Sequence, residues 1–298
     1  MKNKIIKEDI VLINELINKV IGNYEIKNIE RLGGLTNHSY QVELENSQKY
    51  VVRLPGEGTS EMINRNDEKV STELAYGLGI DARLLYFGED GSKVSEFINN
   101  AITCNADMLR EEKTIKDVAK IFHTLHTCGQ DTHVPFEVFD MAKGYEEIIY
   151  AHHVNMYDDY QEVKNAIMQI KEKLDMDTTI QKVPCHNDSL CENWIYGDNQ
   201  LYLIDWEYAG MNDGMWDLAD VSIEADYNDE HDEILLKEYL GKEPSLTERQ
   251  RFIANKLYLD YLWTLWGKTR VPYDGDEMEE YALNRYIRLK SNLKKFNG

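Results

Sequence analysis

The chain has 298 residues, enough for two lobes with a sizeable core, because single cores stop growing at about 250–300 residues. Lys plus Arg number 33 against 54 Asp plus Glu, and a formal net charge of −21 argues against nucleic-acid and anionic-membrane partners while permitting a small cationic one. The sequence contains no run of eighteen apolar residues, no signal-peptide pattern and no Cys-x-x-Cys pair, which predicts a cytoplasmic protein with reduced thiols and no membrane insertion.

The amino-terminal third is rich in strand patterns. Apolar residues at helical spacing over 6–21 predict an amphipathic helix that ends at Gly22. A second helix is predicted over 63–79. Alternating or apolar runs between turn residues predict a five-stranded antiparallel sheet with strands at 24–31, 38–44, 49–54, 84–87 and 93–98.

The rest of the chain is mainly helical. The change in composition predicts an α+β protein with a lobe boundary near residue 98, and hence two lobes, 1–98 and 99–298. Helices are predicted over 113–127, 145–152, 159–174, 213–225, 230–240, 247–268 and 277–294.

One hairpin within the helical region carries the candidate chemistry. Residues 193–196 and 201–204 read as strands joined by a turn at 197–199, which would bring Asp188, Asn193 and Asp205 to one end. Phosphoryl transfer needs hard oxygen ligands for Mg²⁺ and a carboxylate that accepts a hydroxyl proton. Asp188 suits the base, and Asn193 and Asp205 suit the metal. A single Asp is typical of a turn, but the joint pattern favours function.

The same residues carry a resemblance. His186, Asp188 and Asn193 form an H-x-D-x-x-x-x-N pattern, and Asp205 follows twelve residues later within the run I-D-W-E-Y. This resembles the catalytic and metal-binding segments of the choline/ethanolamine kinase and aminoglycoside phosphotransferase superfamily, which shares the protein-kinase fold. Trp206 stands where the family usually has Phe, and this departure removes no ligand. The resemblance implies a two-lobed, protein-kinase-like fold with an amino-terminal nucleotide-binding lobe.

The resemblance also implies a nucleotide site. The strand residue Arg53 would contact the phosphates and pair with an acid on the next helix, either Glu68 or Glu73, between which the sequence does not choose. The glycine pair Gly33-Gly34, which would belong to the phosphate loop, is also typical of an ordinary turn. The phosphate loop and the hinge that holds adenine correspond to two short sets, Gly33, Gly34, Thr36 and Asn37 for the loop and Glu96, Phe97 and Ile98 for the hinge.

In the helical lobe, the family resemblance assigns two supporting catalytic residues. His186 would orient the catalytic loop, and Asp217 would steady that loop from the following helix, although an acid there could also act in the first turn of a helix. His123 and His126 share a helix face, but no third metal ligand with suitable spacing follows. We therefore expect these two histidines to lie on a packed helix surface.

The acceptor pocket is expected around Trp263 and Trp266, which lie three residues apart on one helix face. Two such rings are usually core residues. In choline kinases a similar W-x-x-W walls an aromatic box for a quaternary ammonium group, which is held by ring faces and a nearby carboxylate. The resemblance assigns that carboxylate to Glu224 and a pocket ring to Tyr208, with Tyr227 and Tyr286 as weaker candidates.

The sequence therefore predicts an ATP- and Mg²⁺-dependent kinase that phosphorylates choline to phosphocholine. Ethanolamine or an aminoglycoside-type hydroxyl acceptor is the alternative within enzymes, and a catalytically weak binding module for choline or nucleotide is the alternative outside them. The tryptophan pair favours choline, because a primary ammonium would prefer carboxylates and carbonyls to ring faces. Oligomeric state and the choice between ATP and GTP stay open.

Overall fold

The computed structural model describes residues 5–32, 37–56, 63–176 and 180–297. The chain forms two compact units, one made of Met1–Met108 with Asp188–Gly210 and the other of Leu109–Asn187 with Met211–Gly298. The predicted functional division at residue 98 stays a prediction. In chain order the elements are α1 (Lys7–Val20), β1 (Ile26–Arg31), β2 (Asn37–Leu44), β3 (Lys49–Pro55), α2 (Arg65–Gly77), β4 (Leu84–Phe87), β5 (Lys93–Glu96), β6 (Ile102–Thr103), α3 (Ala106–Leu109), α4 (Glu112–His126), α5 (Val138–Ala151), α6 (Tyr160–Asp175), β7 (Lys182–Cys185), β8 (Trp194–Gly197), β9 (Gln200–Leu203), β10 (Gly210–Asp213), α7 (Met215–Glu224), α8 (Asp229–Leu240), α9 (Leu246–Asp274) and α10 (Asp276–Asn297).

The predicted α+β class and the five-stranded antiparallel sheet are confirmed. The strand order is β1-β2-β3-β5-β4, and every neighbouring pair is antiparallel. Alternate residues of β2 and β3 point into a core that also receives Ile13 and Ile17 of α1. This burial explains the amphipathic pattern of α1, whose apolar face packs on the sheet.

Helix α2 follows β3 and lies in the same unit. The Asn64 side chain caps its first turn by accepting hydrogen bonds from the backbone N–H groups of Asn66 and Asp67. The helix buries Glu68 together with small residues such as Ala75. A buried carboxylate needs a cationic partner, and β3 supplies one.

A smaller sheet, β6-β8-β9, contains the predicted hairpin. Gly197 pairs with Gln200, so the turn consists of Asp198 and Asn199. Both have positive φ, at 48° and 64°, as a two-residue hairpin turn of the right twist requires. The short strand β6 was not predicted, because two residues carry no readable alternation.

The described residues of the second unit form a helical assembly that includes a small two-stranded sheet, β7 with β10. Two predicted helix bounds differ from the structure by more than one helical turn. Helix α5 begins at Val138 rather than 145 and continues through Gly144, because Val138, Ala142 and Ile149 all face the interior. Helix α9 continues past the predicted end at Lys268 and through Pro272 to Asp274.

Among the described residues, no helix combines the length and apolar character that crossing a membrane requires.

Candidate active site

The hairpin of the first unit assembles Asp188, Asn193 and Asp205. The Asn193 side-chain amide donates to the Asp188 carbonyl oxygen at 2.8 Å. The Ile204 N–H donates to the Asn193 carbonyl at 2.9 Å, and Asp205 is the next residue, with a φ of +69°. These bonds place the three polar residues at the same end of β8 and β9, as the hairpin pattern predicted.

The oxygen atoms of this group fit a magnesium ion. Because the Asn193 Nδ2–H group donates to the Asp188 carbonyl, the Oδ1 atom is the part of the amide that can serve as a ligand. The Asp205 side chain is 35% exposed, so its carboxylate can reach a ligand from solvent. One amide oxygen and one carboxylate are hard donors of the kind that Mg²⁺ takes together with phosphate oxygens.

Arg53 of β3 pairs with Glu68 of α2. The Arg53 Nη1 atom lies 2.5 Å from Glu68 Oε1 and 3.4 Å from Asp205 Oδ1, and Nη2 donates to the Gly91 carbonyl at 2.9 Å. Glu73, the rival partner, is exposed and lies 3.8 Å from Lys69 instead. The structure thereby resolves the alternative in favour of Glu68.

This buried pair is ionised. Burial works to lower the pKa of the Arg53 guanidinium, but the charges of Glu68 and Asp205 outweigh it and the net shift is upward. Burial likewise works to raise the pKa of Glu68, and the charge of Arg53 outweighs it, so that the pKa of Glu68 is lowered. Arg53 is thus held as a fixed positive charge beside the proposed metal ligand Asp205.

A second layer supports Glu68, and of its residues the sequence analysis named only Asn37, as part of the phosphate loop. Arg65 Nη1 lies 2.7 Å from Glu68 Oε2 and 3.7 Å from Glu207 Oε2. Asn37 donates to Glu207 Oε2 at 2.9 Å. Burial, followed by the nearby charge of Asp205, raises the pKa of Glu207 to about 7. In the sequence, Glu207 was visible as the acid of the D-W-E run, and that run does not indicate which residues pair with it.

Gly91 is required at this position. Its φ is +89°, and a Cβ atom there would lie 2.4 Å from Arg65 Nε. A side chain would therefore both strain the backbone and displace the arginine.

The predicted hinge lies at the end of β5. The Glu96 N–H donates to the Arg83 carbonyl at 2.9 Å and the Phe97 N–H to the Lys49 carbonyl at 3.2 Å. These two donors are already used in bonds to the chain on either side of β5. A backbone N–H for adenine in this stretch would therefore come from Ile98, whose side chain is buried. Gly33, Gly34 and Thr36 of the predicted phosphate loop lie outside the described residues.

In the second unit, Asp217 holds the backbone of the catalytic loop. Its carboxylate accepts from the N–H groups of His186 and Asn187, each at 2.8 Å, and contacts His126 Nε2 at 3.0 Å. The other imidazole nitrogen of His126 lies 2.9 Å from the Tyr239 hydroxyl. Asp217 therefore has partners on both oxygens, and its predicted role in steadying this loop has a geometric basis.

Asn187 is bent into the left-handed region, with a φ of +67°. Trp216 Nε1 donates to its carbonyl at 3.2 Å, and Asn212 donates to its side-chain oxygen at 2.9 Å. Such a backbone persists only when its surroundings hold it. Asp188 is the next residue in the chain.

His126, Cys185 and Asp217 lie within 4.8 Å of one another and could suggest a metal site. Two observations argue for a structural cluster. Both oxygens of Asp217 already have hydrogen-bond partners, and burial, followed by the charge of Asp217, raises the pKa of the Cys185 thiol well above its usual value. A thiol is a poor metal ligand until it is deprotonated.

The predicted acceptor residues fall in both units. Tyr208 belongs to the first unit and is half-buried. In the second unit, the Trp263 and Trp266 rings stand perpendicular with centroids 6.0 Å apart, and Tyr281 lies edge-on to Trp266 at 5.8 Å. Glu224 forms a 2.6 Å ion pair with Arg285.

The weaker candidates have structural partners. The Tyr227 hydroxyl donates to the Leu109 carbonyl at 2.7 Å. Tyr286 stacks on Tyr157 with centroids 4.2 Å apart and donates to Asp159 at 2.8 Å. Tyr281 and Arg285 were missed because a W-x-x-W pattern does not indicate which residues of another helix face it.

A family model for choline/ethanolamine kinases matches residues 28–281, which include every described residue of the hairpin, the Arg53–Glu68 pair and the tryptophan pair. The chain belongs to the choline/ethanolamine kinase family. The resemblance read from the sequence is thereby confirmed.

Solved structures agree with this membership. The kinase is 29% identical to a choline/ethanolamine kinase family protein from Mesorhizobium loti, with a TM-score of 0.86 over 98% of this chain and 97% of that one. It is 32% identical to the choline kinase LicA from Streptococcus pneumoniae, with a TM-score of 0.82 over 97% and 100% of the two chains. A structure of LicA in complex with AMP is also 32% identical, with a TM-score of 0.79 over 96% and 98%.

These findings establish an alcohol-phosphorylating kinase with a kinase-like fold, acting on a choline-like hydroxyl. The alternative of a catalytically weak binding module is thereby set aside.

Proposed function

We propose that this kinase transfers the γ-phosphoryl group of ATP to the hydroxyl of choline, giving phosphocholine and ADP. The observation that carries the proposal is the perpendicular Trp263–Trp266 pair with Tyr281 beside it. A trimethylammonium group has no N–H to donate and is stabilised by ring faces. The presence of AMP in the related LicA structure supports an adenine nucleotide as donor.

Different side chains of the chain would bind the phosphates, hold the metal and accept the hydroxyl proton. Asp188 accepts the hydroxyl proton as the choline oxygen bonds to the γ-phosphorus and the bond to the β-phosphate oxygen breaks, releasing ADP. Arg53, kept charged by Glu68, binds the phosphates. Asn193 and Asp205 would hold Mg²⁺, which would supply neutralisation of the phosphate charge.

Precise placement of the base depends on the loop that carries it. Asp217 holds the two residues that precede Asp188, and Asn193 holds the Asp188 carbonyl. Little motion of the base is then needed at the moment of reaction, which is how positioning lowers a barrier.

The experiment measures kcat/KM for choline and ethanolamine with wild type, Trp263→Ala and Trp266→Ala, together with thermal melts. A desolvated cation–π contact is worth about 2 kcal/mol, so each variant should lose more than about tenfold in choline kcat/KM. Ethanolamine, which can bond to water or carbonyls through N–H groups, should lose less, and the choline-to-ethanolamine ratio should fall.

A lower melting temperature with an unchanged ratio would assign both indoles to the core. Tyr150→Ala is a matched control, because Tyr150 is a largely exposed aromatic residue of the same unit. A wild-type preference for ethanolamine over choline would overturn the substrate assignment.

A further inference from the structure

Arg285 of α10 is a buried cation that forms a close ion pair with Glu224. Its side chain is 7% exposed, and Nη2 lies 2.6 Å from Glu224 Oε1. Burial works to lower the pKa of Arg285, but the charge of Glu224 more than offsets this, so the net shift is upward. The ion pair therefore exists before any ligand binds.

A second acid lies nearby but belongs to another arginine. Asp260 Oδ1 is 3.6 Å from Arg285 Nη1, whereas Arg288 approaches the same carboxylate with two atoms, at 2.6 and 2.9 Å. Two-pronged pairing of this kind is the stronger interaction. Arg285 is thus the partner of Glu224, and Arg288 is the partner of Asp260.

Arg285 also contacts the aromatic group. Its guanidinium lies over the Tyr281 ring, 4.8 Å from the centroid, and Tyr281 contacts Trp266. Tyr281 and Arg285 are one turn apart on α10, so they share a helix face. Helix α9 approaches closely at Gly267, where a Cβ atom would lie 2.8 Å from Tyr281 Cδ1. Arg285 therefore links the Glu224 carboxylate to the tryptophan pair.

We propose that Arg285 is a positioning residue that sets the charge of the acceptor site, an inference that rests on the proposed function. It holds the Glu224 carboxylate in place beside the aromatic group and makes the Glu224–Arg285 pair neutral in the free enzyme. The cationic acceptor then meets an oriented carboxylate. The acceptor site carries no excess negative charge there that would also bind metal ions or other amines.

If Glu224 acts as part of an ion pair with Arg285, its substitution should have an effect that an isolated carboxylate would not show. Glu224→Gln removes the attraction for a cation and also leaves the buried Arg285 charge uncompensated, which repels the substrate. Removing the arginine in that background, as in Glu224→Gln/Arg285→Met, restores neutrality. The second substitution should therefore repair part of the damage caused by the first.

The test measures kcat and KM for choline and for 3,3-dimethylbutan-1-ol, its uncharged carbon isostere. Glu224→Gln should raise the choline KM at least about tenfold, and Glu224→Gln/Arg285→Met should lower it again by about threefold or more. The isostere, which carries no charge, should show about the same KM in both variants. Arg270→Met, which removes a partly exposed arginine that pairs with Asp274 in the same unit, is the matched control, and it should leave the ratio of the two KM values unchanged.

Arg285→Lys covers the case in which the double variant with Arg285→Met does not fold, because it keeps the charge but loses the planar fork. It should raise the choline KM with kcat changed less. A double variant no better than Glu224→Gln, or equal effects of the substitutions on choline and on its isostere, would refute the inference. Failure of wild type to release ADP with choline would instead refute the proposed substrate, and the same comparison would then use ethanolamine and propan-1-ol.

Discussion

The Asp217 carboxylate accepts a hydrogen bond from the backbone N–H of His186 at 2.8 Å, two residues before the proposed base. The other oxygen accepts from Asn187, and His126 completes the set. Asp217 and His126 are both buried, so each bond is made in a low dielectric, where leaving a donor unpaired is costly.

Asp217→Asn should destabilise the protein and slow catalysis. The amide has one acceptor oxygen instead of two, so at least one buried donor loses its partner, at a cost of about 1–3 kcal/mol. The melting temperature and kcat should both fall, with the choline KM changed less. Asp158→Asn, an exposed acid of the same unit, provides the comparison. Unchanged kcat in a stable Asp217→Asn enzyme would remove the anchoring role.

Asp188→Asn should lower kcat by about 10²–10⁴-fold, the usual contribution of a general base. Nucleotide binding, measured by titration calorimetry with ADP, should stay close to that of wild type. Asp198→Asn is the matched control, since Asp198 lies in the exposed turn of the same hairpin and Asn accepts positive φ equally well. Near-normal turnover by Asp188→Asn would exclude this residue as the base.

Asp205→Ala should be more damaging than Asn193→Ala, because a charged oxygen contributes more to a hard cation than an amide oxygen. Raising the Mg²⁺ concentration should rescue Asn193→Ala better. The readout is initial rate against Mg²⁺ concentration at saturating ATP. Curves for both variants that overlay the wild-type curve would show that neither residue is a ligand.

Glu68→Gln should weaken ATP binding and lower stability. Without the charge of Glu68, the buried Arg53 guanidinium turns toward Asp205, and breaking a buried pair costs about 3–5 kcal/mol. Glu73→Gln, on the exposed side of the same helix, should change neither quantity. Equal effects of the two substitutions on the KM for ATP would contradict the role given to the Arg53–Glu68 pair.

The buried Asp81 carboxyl should make the stability of the protein depend on pH. Burial raises its pKa to about 6, above the ordinary value of 3.8, with the charge of Lys93 opposing the shift. The folded state therefore keeps this proton longer than the unfolded chain does, and this contribution to stability is lost as pH rises from about 4 to about 6.

Asp81→Asn should remove that loss, which amounts to about 3 kcal/mol at one pKa unit per about 1.4 kcal/mol. Denaturant titrations at pH 4.5 and 7.5 measure it. The variant should gain stability relative to wild type, and it should gain more at pH 7.5 than at pH 4.5. An equal difference between the two proteins at both pH values would show that the carboxyl does not titrate in this range.

The features that could be predicted from the sequence are those that depend on residues close together in the chain. A strand pattern needs only alternating residues, and the hairpin of Asp188, Asn193 and Asp205 follows from two such strands and a turn that tolerates positive φ. The family could be recognised for the same reason, since its motif lies within one short stretch of chain. The five-stranded sheet and most helices also follow from local periodicity.

Only the tertiary structure decided which distant charges meet. Glu68 and Glu73 occupy different faces of α2, and the packing of that helix on the sheet selects Glu68. Arg285 pairs with Glu224 across 61 residues. Such pairs depend on how helix faces are turned toward each other, which no local pattern records, and their energies come from burial that exists only once the chain has folded.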